Sequence, residues 1–169
     1  GLSTAWACTR VIADPVGFLP LHLYRKVASG REKATQHRLY RLLHDSPNGI
    51  MTATSFRQTM QMHVLNWGNA YAKIVRRPGT TEISSLWPIH PSLVTPKFDG
   101  AELKYEINWA SGEKRIEAAA DIFHVAGLSA DGIQGMSVIT AAKETFGLSL
   151  AAELYASTFF KNGGRVPYL

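Results

Sequence analysis

The hydrophobic pattern of residues 56–76 predicts a helix that leads directly into a strand. Four large apolar residues recur at intervals of four, four and three, the spacing of one helix face: Phe56, Met60, Val64 and Trp67. Gly68 follows at once, and a glycine after the last periodic position is typical of a helix end. Residues 69–75 then alternate with a period of two, which predicts a strand. We expect this helix to fold back on its own strand and the rest of the chain to pack on the pair.

The predicted strand has two different faces. Ala70, Ala72 and Ile74 share one face and are small enough for a helix to lie close to it. The opposite face carries larger side chains: Tyr71, Lys73 and Val75. From this stretch and the strand after it, we expect three aromatic residues in the core: Trp67, Tyr71 and Trp87.

Two earlier segments also have helical spacing. Residues 4–18 place apolar side chains on one face, and the pair Asp14-Pro15 predicts a kink or an early stop, because proline clashes with the preceding turn. Residues 37–43 predict a short helix that ends at a turn-forming run. Thr52, or Ser55, is placed to cap the helix that follows.

Short runs of alternating residues predict the strands. They cover residues 19–27, 82–89, 93–98, 103–109, 114–118 and 122–125, with a polar turn at 29–33. The later runs are separated by glycine-containing turns, which is typical of a β-meander. The sequence therefore predicts an α+β fold: an antiparallel β-meander with packed helices and a long C-terminal helix, in a single domain over residues 1–169.

The C-terminal helix lacks a simple polar face. Ser137 is placed to cap it, and it runs to about Lys161. Apolar residues surround much of its circumference: Ile139, Ala142, Phe146, Leu150, Leu154, Tyr155, Phe159 and Phe160. This pattern predicts packing by its own domain on one side, and by a neighbouring subunit or a missing part of the chain on another. The alternative is a long core helix whose charged tips extend to water.

Composition narrows the class of protein. The 169 residues are 46% apolar, which suits one globular domain with a sizeable core. The formal charge of +5 is compatible with an acidic partner but modest for a dedicated nucleic-acid binder. Cys8 is the only cysteine, so no internal disulfide can form. No apolar run approaches the length of a membrane span, so we expect no membrane partner.

The sequence contains no recognisable catalytic motif. The six histidines are spread singly, and none pairs at the spacing of a helical metal site; we expect them to be surface or half-buried residues. No nucleophile elbow or phosphate-binding glycine loop is present. We therefore expect no enzyme activity, no cofactor and no metal. A hydrolase would instead show a concave pocket with convergent titratable groups.

Basic residues occur in pairs at predicted strand ends. Arg76 and Arg77 form one pair, and Lys114 and Arg115 form another. Solvated turns explain such pairs, but a contact with DNA phosphates or an acidic partner is also possible because turns protrude and arginine suits phosphate oxygens. This keeps a stand-alone nucleic-acid-binding module as the alternative function.

An ordered series of motifs resembles a known family. The series includes HRLYRLLHDSPN, MTATSFRQ, NWGNAYAKI, LWPIHPSLV, DIFHVAGLS and AAELYASTFFKNGG. In order and spacing they resemble the portal proteins of tailed bacteriophages, in the branch named after the Hong Kong lambdoid phage. The most specific are GNAY after a helix, LWP with a second proline close behind, and FFKNG at a helix end.

The resemblance implies a structural function. Portal proteins of this family form rings, usually dodecameric, at one capsid vertex of the virion, after assembly in the host cytoplasm. Double-stranded DNA is pumped through the channel by the terminase, and the head–tail connector later docks on the ring. This chain would be the N-terminal wing portion of a longer subunit, without the stem and clip. Its candidate contacts with neighbouring subunits or the stem are Phe159, Phe160, Asn162 and Gly163.

The sequence departs from the family at two places. Residues 165–168 replace the usual Pro-Ser-Gly turn, so the turn into the stem is expected to differ. Asp14-Pro15 replaces a pair that favours a helix, which leaves the length of the first helix open.

Overall fold

The computed structural model describes residues 2–100 and 102–163; the departure at residues 165–168 lies outside them. The α-helices are α1 (Leu2–Phe18), α2 (Arg38–His44), α3 (Ala53–Trp67), α4 (Val138–Ala141) and α5 (Lys143–Lys161). Two short 3₁₀ turns cover Pro91–Leu93 and Ala119–Asp121. Within the described residues, no helix combines the length and apolar character needed to cross a bilayer.

Strands pair antiparallel throughout the described chain. They are β1 (Tyr24–Val27), β2 (Gly30–Lys33), β3 (Asn69–Arg76), β4 (Ile83–Ile89), β5 (Val94–Asp99), β6 (Glu102–Asn108), β7 (Lys114–Ala118) and β8 (Ile122–Ala126). β1 and β2 form a hairpin, and the others form two three-stranded sheets, β4-β3-β8 and β5-β6-β7. The α+β class with antiparallel strands is confirmed. The meander itself is confined to β5-β6-β7, because β8 returns to pair with β3.

The first helix and the first hairpin differ from their predictions. α1 continues through Pro15 to Phe18, so the early stop is wrong. Contacts with α3 hold its last turns: Gln58 donates to Asp14 Oδ1 at 3.2 Å, and Arg57 donates to the Gly17 carbonyl at 2.7 Å. The predicted strand over residues 19–27 is strand only from Tyr24 onward, and most of the predicted turn at 29–33 is strand β2.

The helix α3 packs against β3 as predicted. Thr52 caps it by accepting a hydrogen bond from the Ser55 amide at 3.1 Å, and Gly68 ends it with a left-handed φ of 79°. The cluster between helix and sheet contains Phe56, Met60, Ala70, Ala72 and Leu86, all buried, with Ile74 packed beside them. The small face of the strand therefore lies under the helix, and this prediction is confirmed.

A second buried cluster joins the two sheets. It contains Tyr71, Ile89, Val94, Tyr105, Ile107 and Ile122. Lys73 of β3 also pairs with Glu117 of β7 at 2.6 Å. Tyr71 is thus a core residue as predicted, whereas Trp67 and Trp87 are each 39% exposed and the prediction for them is wrong. Trp87 lies on the face of β4 opposite Leu86, beyond the part of that face buried at Ile89, and Trp67 ends α3, so each ring is partly exposed.

The predicted C-terminal helix is divided into α4 and α5 at Ala142. Ser137 caps α4, since its hydroxyl accepts a hydrogen bond from the Thr140 amide at 3.1 Å. The long C-terminal helix is therefore present, but it begins with a break.

Candidate subunit-contact surface

The described surface of α5 is apolar on several sides and largely exposed. Leu148, Leu154 and Phe160 are 74%, 70% and 74% exposed. At about 100° per residue, these three side chains point roughly 120° apart around the helix axis. The expected packing of α5 by its own domain on one side is wrong, and so is the alternative of a core helix. Among the described elements only α4 adjoins it closely, because the small face of β3 is already covered by α3.

The last turn of α5 carries an aromatic group. Phe159 stacks on Tyr155 with ring centroids 6.4 Å apart and meets Phe160 edge-on at 5.7 Å. The Asn162 amide donates to the Thr158 carbonyl at 3.0 Å, and the Gly163 amide donates to the Phe160 carbonyl at 3.1 Å. Gly163 has a φ of 67°, which ends the helix as predicted. The structure therefore gathers the four candidate contact residues at one helix end.

The chain leading into α4 is held by Asn69 of the GNAY motif. Its side-chain amide donates to the Gly135 carbonyl and accepts from the Gly135 amide, both at 2.9 Å. Its oxygen also accepts from His124 Nε2 at 2.9 Å, while His124 Nδ1 lies 3.0 Å from the Tyr105 hydroxyl. Burial lowers the pKa of His124, which favours the neutral ring that this chain of hydrogen bonds needs.

Three glycines make the close approach of this segment possible. A Cβ on Gly135 would lie 2.0 Å from the Gly68 carbonyl oxygen, and one on Gly127 would lie 3.0 Å from the same atom. The motifs that carry the resemblance include Gly68, Asn69 and Gly127 but not Gly135, and the sequence pattern assigned Asn69 and Gly135 no contact. The pairing of one side-chain amide with a backbone 66 residues away leaves no local sequence signal.

His63 is buried, which corrects the expectation that the histidines are at or near the surface. It is 5% exposed on α3, and its Nδ1 has no hydrogen-bond partner among the described atoms. Its ring meets those of Trp67 and His90 edge-on at 5.9 and 5.5 Å. Burial, with a smaller contribution from His90, lowers the pKa of His63 to about 4.

The candidate basic residues are separated and largely paired. Arg76 binds Asp121 and donates to the Ala120 carbonyl at 2.6 Å, just beyond the end of β7. Lys114 and Arg115 lie at the opposite end of that strand, about 15 Å away at the usual rise of about 3.3 Å per residue.

Two of the other basic side chains also have acidic partners. Arg115 pairs with Glu113 at 2.6 Å, and Arg77 lies 3.9 Å from Glu82. Lys114 is exposed and forms no ion pair within the described residues. The geometry therefore gives no single basic surface from the four predicted residues.

The described side chains do not form a metal centre. No group of three or more His, Cys, Asp or Glu side chains in that part of the chain is arranged to hold an ion. The polar side chains described above instead hold loops on the sheet and helix, so their chemistry is that of a rigid scaffold.

Comparisons of this sequence with known proteins identify the same family. The family model described as "Phage portal protein" matches residues 3–169. The chain is 32% identical to the portal protein of Enterobacteria phage HK97, over 99% of this chain and 40% of that protein. It is 28% identical to the probable portal protein of Streptomyces phage phiC31, over 96% of this chain and 37% of that protein.

Solved structures share the fold. The neck of an empty gene transfer agent particle, computed with C6 symmetry, matches with a TM-score of 0.77 at 18% identity, over 95% of this chain and 43% of that chain. The neck of the native particle, computed with C12 symmetry, matches with a TM-score of 0.74 over 95% of this chain and 42% of that chain. The chain spans about two fifths of the length of the portal relatives it matches. It belongs to the phage portal protein family.

Proposed function

We propose that this chain is the N-terminal wing portion of a structural portal subunit. Such subunits assemble as a ring, with twelve copies as the expected number, at one vertex of the capsid. DNA enters through the ring by the action of the terminase and leaves through it, and the head–tail connector docks on it. The observation that carries the proposal is the family match over residues 3–169, together with the 32% identity to the HK97 portal protein across nearly the whole chain.

The wing is rigid and supplies one surface for assembly. Its two buried clusters and the hydrogen bonds of Asn69 fix the domain, while α5 exposes apolar side chains around its axis. Burying a side chain such as Leu154 or Phe160 against a neighbour contributes about 1.5–3 kcal/mol. The end of α5, with Phe159, Phe160, Asn162 and Gly163, therefore contacts neighbouring subunits or the stem.

The positive charge of this chain has its largest effect when the chain is repeated around the ring. A formal charge of +5 on each copy sums to a strong positive potential in a closed ring, which attracts DNA and acidic capsid parts. Lys114, which has no ion pair in the described chain, is the most available of the four basic candidates, while Arg76, Arg77 and Arg115 first have to release a carboxylate. The location is the portal vertex of the virion, after assembly in the host cytoplasm.

A stand-alone nucleic-acid-binding module is less well supported. The family match favours a structural subunit, and three of the four basic candidates are engaged with Asp121, Glu82 and Glu113. Such a module would bind DNA with micromolar affinity as an isolated chain and lose that affinity steeply with salt, whereas a portal wing binds weakly until it is assembled.

The test uses the full-length protein that contains this chain. Light scattering and negative-stain imaging are expected to show rings of uniform mass for the wild type. Leu154→Asp combined with Phe160→Asp is expected to give monomers of unchanged fold, because charge on α5 opposes its burial. Ile50→Asp, at a loop position that is 81% exposed, is the matched control and retains rings. A wild-type monomer at high concentration contradicts the proposal.

A further inference from the structure

A cleft of about 730 Å³ lies between α2, the loop that follows it and β4. Three arginines line it: Arg38 and Arg41 from α2, and Arg77 from the turn before β4. All three are exposed. Arg38 and Arg41 are three residues apart and so share one face of a seven-residue helix, an arrangement of like charges that weakens a helix. Arg41 lies in the last turn, where a cation interacts favourably with the helix dipole, so the stability of α2 accounts for Arg41 but not for Arg38 in its first turn.

The acidic groups around the cleft do not balance its charge. Glu82 is the one acidic partner of two of the arginines in the described structure: its Oε2 binds Arg38 and lies 3.9 Å from Arg77 Nε. Arg41 forms no ion pair within the described residues, and nearby Asp45 binds His44 at 2.8 Å. The residues that line the cleft and their ion-pair partners therefore comprise three guanidinium groups and one carboxylate, a surplus of two positive charges before nearby Asp45 is counted.

The walls of the cleft are held in place before any ligand binds. Asn48 donates to the Leu86 carbonyl at 2.8 Å and accepts from the Met51 amide at 2.8 Å, which fixes the loop against the outer edge of β4. The Leu86 amide also donates to the Pro47 carbonyl at 2.8 Å. On β4, Ser84 is the extra residue of a bulge, because Val75 pairs with Ser85 and Arg76 pairs with Ile83.

The lining selects among anionic ligands. Guanidinium forks bind carboxylates and phosphates alike. The floor, however, contains the buried Leu42 and the half-buried Ile83, and no aromatic ring lines the cleft. Nucleic-acid bases therefore find no aromatic platform there. Carboxylates that flank an apolar side chain match both the rim and the floor.

We propose that this cleft is a docking site for a short acidic peptide segment of a partner protein. Its Asp or Glu carboxylates pair with Arg41 and Arg77, and an apolar residue between them contacts Leu42 and Ile83. Arg38 stays on Glu82 and keeps that carboxylate away from the entering peptide. The site acts in the single chain and does not require ring assembly.

The test measures binding to the 169-residue chain by fluorescence anisotropy. The probe is a labelled peptide in which paired Asp and Glu residues alternate with leucine. A peptide with every acid changed to its amide, and a labelled duplex oligonucleotide, are the comparison ligands. The acidic peptide is expected to bind at micromolar concentration at low ionic strength, at least about tenfold more tightly than either comparison ligand.

Two substitutions distinguish binding in the cleft from general electrostatic attraction of the peptide to the protein. Arg41→Gln is expected to weaken binding of the acidic peptide about tenfold, since one charge-assisted contact is lost. Arg115→Gln removes the same charge from an exposed arginine on β7, outside the cleft, and is expected to change binding less than about twofold. An unchanged urea midpoint for Arg41→Gln shows that the fold is retained.

Three results overturn the proposal. They are the absence of acidic-peptide binding at about 1 mM, equal losses in Arg41→Gln and Arg115→Gln, and tighter binding of the duplex than of the peptide. The first would mean that the cleft has no peptide ligand, the second that attraction is only general, and the third that the ligand is nucleic acid.

Discussion

The helices α3 and α5 are of similar length and have opposite surroundings. α3 has 15 residues and α5 has 19, and both carry large apolar side chains at helical spacing. In α3, Phe56 and Met60 are buried against β3 and β4, and Val64 packs beside them. In α5 they remain exposed along most of the described helix. Apolar content alone therefore does not determine whether a helix is buried.

The two helices differ in the packing surface that neighbouring elements present to them. α3 is bounded by a Thr52 cap and by Gly68, after which the chain returns as a strand with Ala70 and Ala72 under the helix. α5 starts at Lys143 after Ala142, which makes no side-chain cap hydrogen bond, and no described strand presents a second small-residue face to it. A helix whose complement is absent from its own domain is suited to a surface on another chain.

The largest contrast is expected from truncating one apolar residue in each helix. Met60→Ala removes a side chain that is 6% exposed and is expected to lower the free energy of unfolding by about 2–5 kcal/mol. Leu154→Ala, at a position 70% exposed, is expected to change it by less than about 0.5 kcal/mol. Urea denaturation of the 169-residue chain measures both. Equal losses would show that α5 is packed in the monomer.

A second contrast compares alanine substitutions of two glycines. Gly135→Ala places a Cβ against the Gly68 carbonyl, and rigid backbone cannot move aside, so we expect a loss of about 3 kcal/mol. Gly147→Ala lies in α5 with no atom within 4 Å of the added Cβ and is expected to stabilise the helix by about 0.5–1 kcal/mol. Chemical denaturation and far-UV circular dichroism test the pair. A neutral Gly135→Ala would contradict the close packing.

Acidification is expected to lower the free energy of unfolding through His63 of α3. His63 has a folded pKa of about 4 against an ordinary 6.5, so the unfolded chain binds the proton more tightly between these values. Stability contributed by neutral His63 is present above about pH 6.5 and is lost as the pH falls through this window, by about 2 kcal/mol at about pH 5.

A substitution identifies the group responsible. His63→Leu is expected to reduce the loss of stability on acidification, leaving the smaller contribution of half-buried His124. Lys161→Met, on the exposed end of α5, is the control and is expected to leave the pH profile unchanged. Equilibrium unfolding between pH 7 and about pH 5 measures the difference. An identical profile in His63→Leu would assign the acid sensitivity to another group.

A small effect on stability is also expected from removing α5 altogether. A chain that ends after Ala142 loses few contacts, because only α4 closely adjoins α5 in the described structure. Its free energy of unfolding is expected to remain within about 1 kcal/mol of that of the 169-residue chain. A larger loss in urea denaturation would show that α5 supports the domain directly.

The sequence predicted what depends on local periodicity. The spacing of Phe56 and Met60, the stop at Gly68 and the small face of β3 were enough to obtain the central helix and strand. The resemblance to portal proteins was carried by ordered motifs and is confirmed by the family match.

The sequence failed where long-range packing decides the outcome. Trp67 was assigned to the core by its place on the apolar face of α3 and Trp87 by its place in a predicted strand, but the partners that bury a side chain come from distant strands. The return of β8 to β3 has the same origin, since pairing between residues 69 and 126 leaves no local pattern. For the arginine cleft, α2 and the turn before β4 contribute from separate parts of the chain, so periodicity could not assemble it.

The hydrogen bonds of the Asn69 side chain to both backbone groups of Gly135 fix the course of the chain before it enters α4. Its consequence is entropic: the segment that precedes the exposed helices is already ordered in the monomer, so association does not have to immobilise it. In the proposed ring, subunits therefore meet with their connecting chain preorganised, which favours one repeated geometry over a range of irregular contacts.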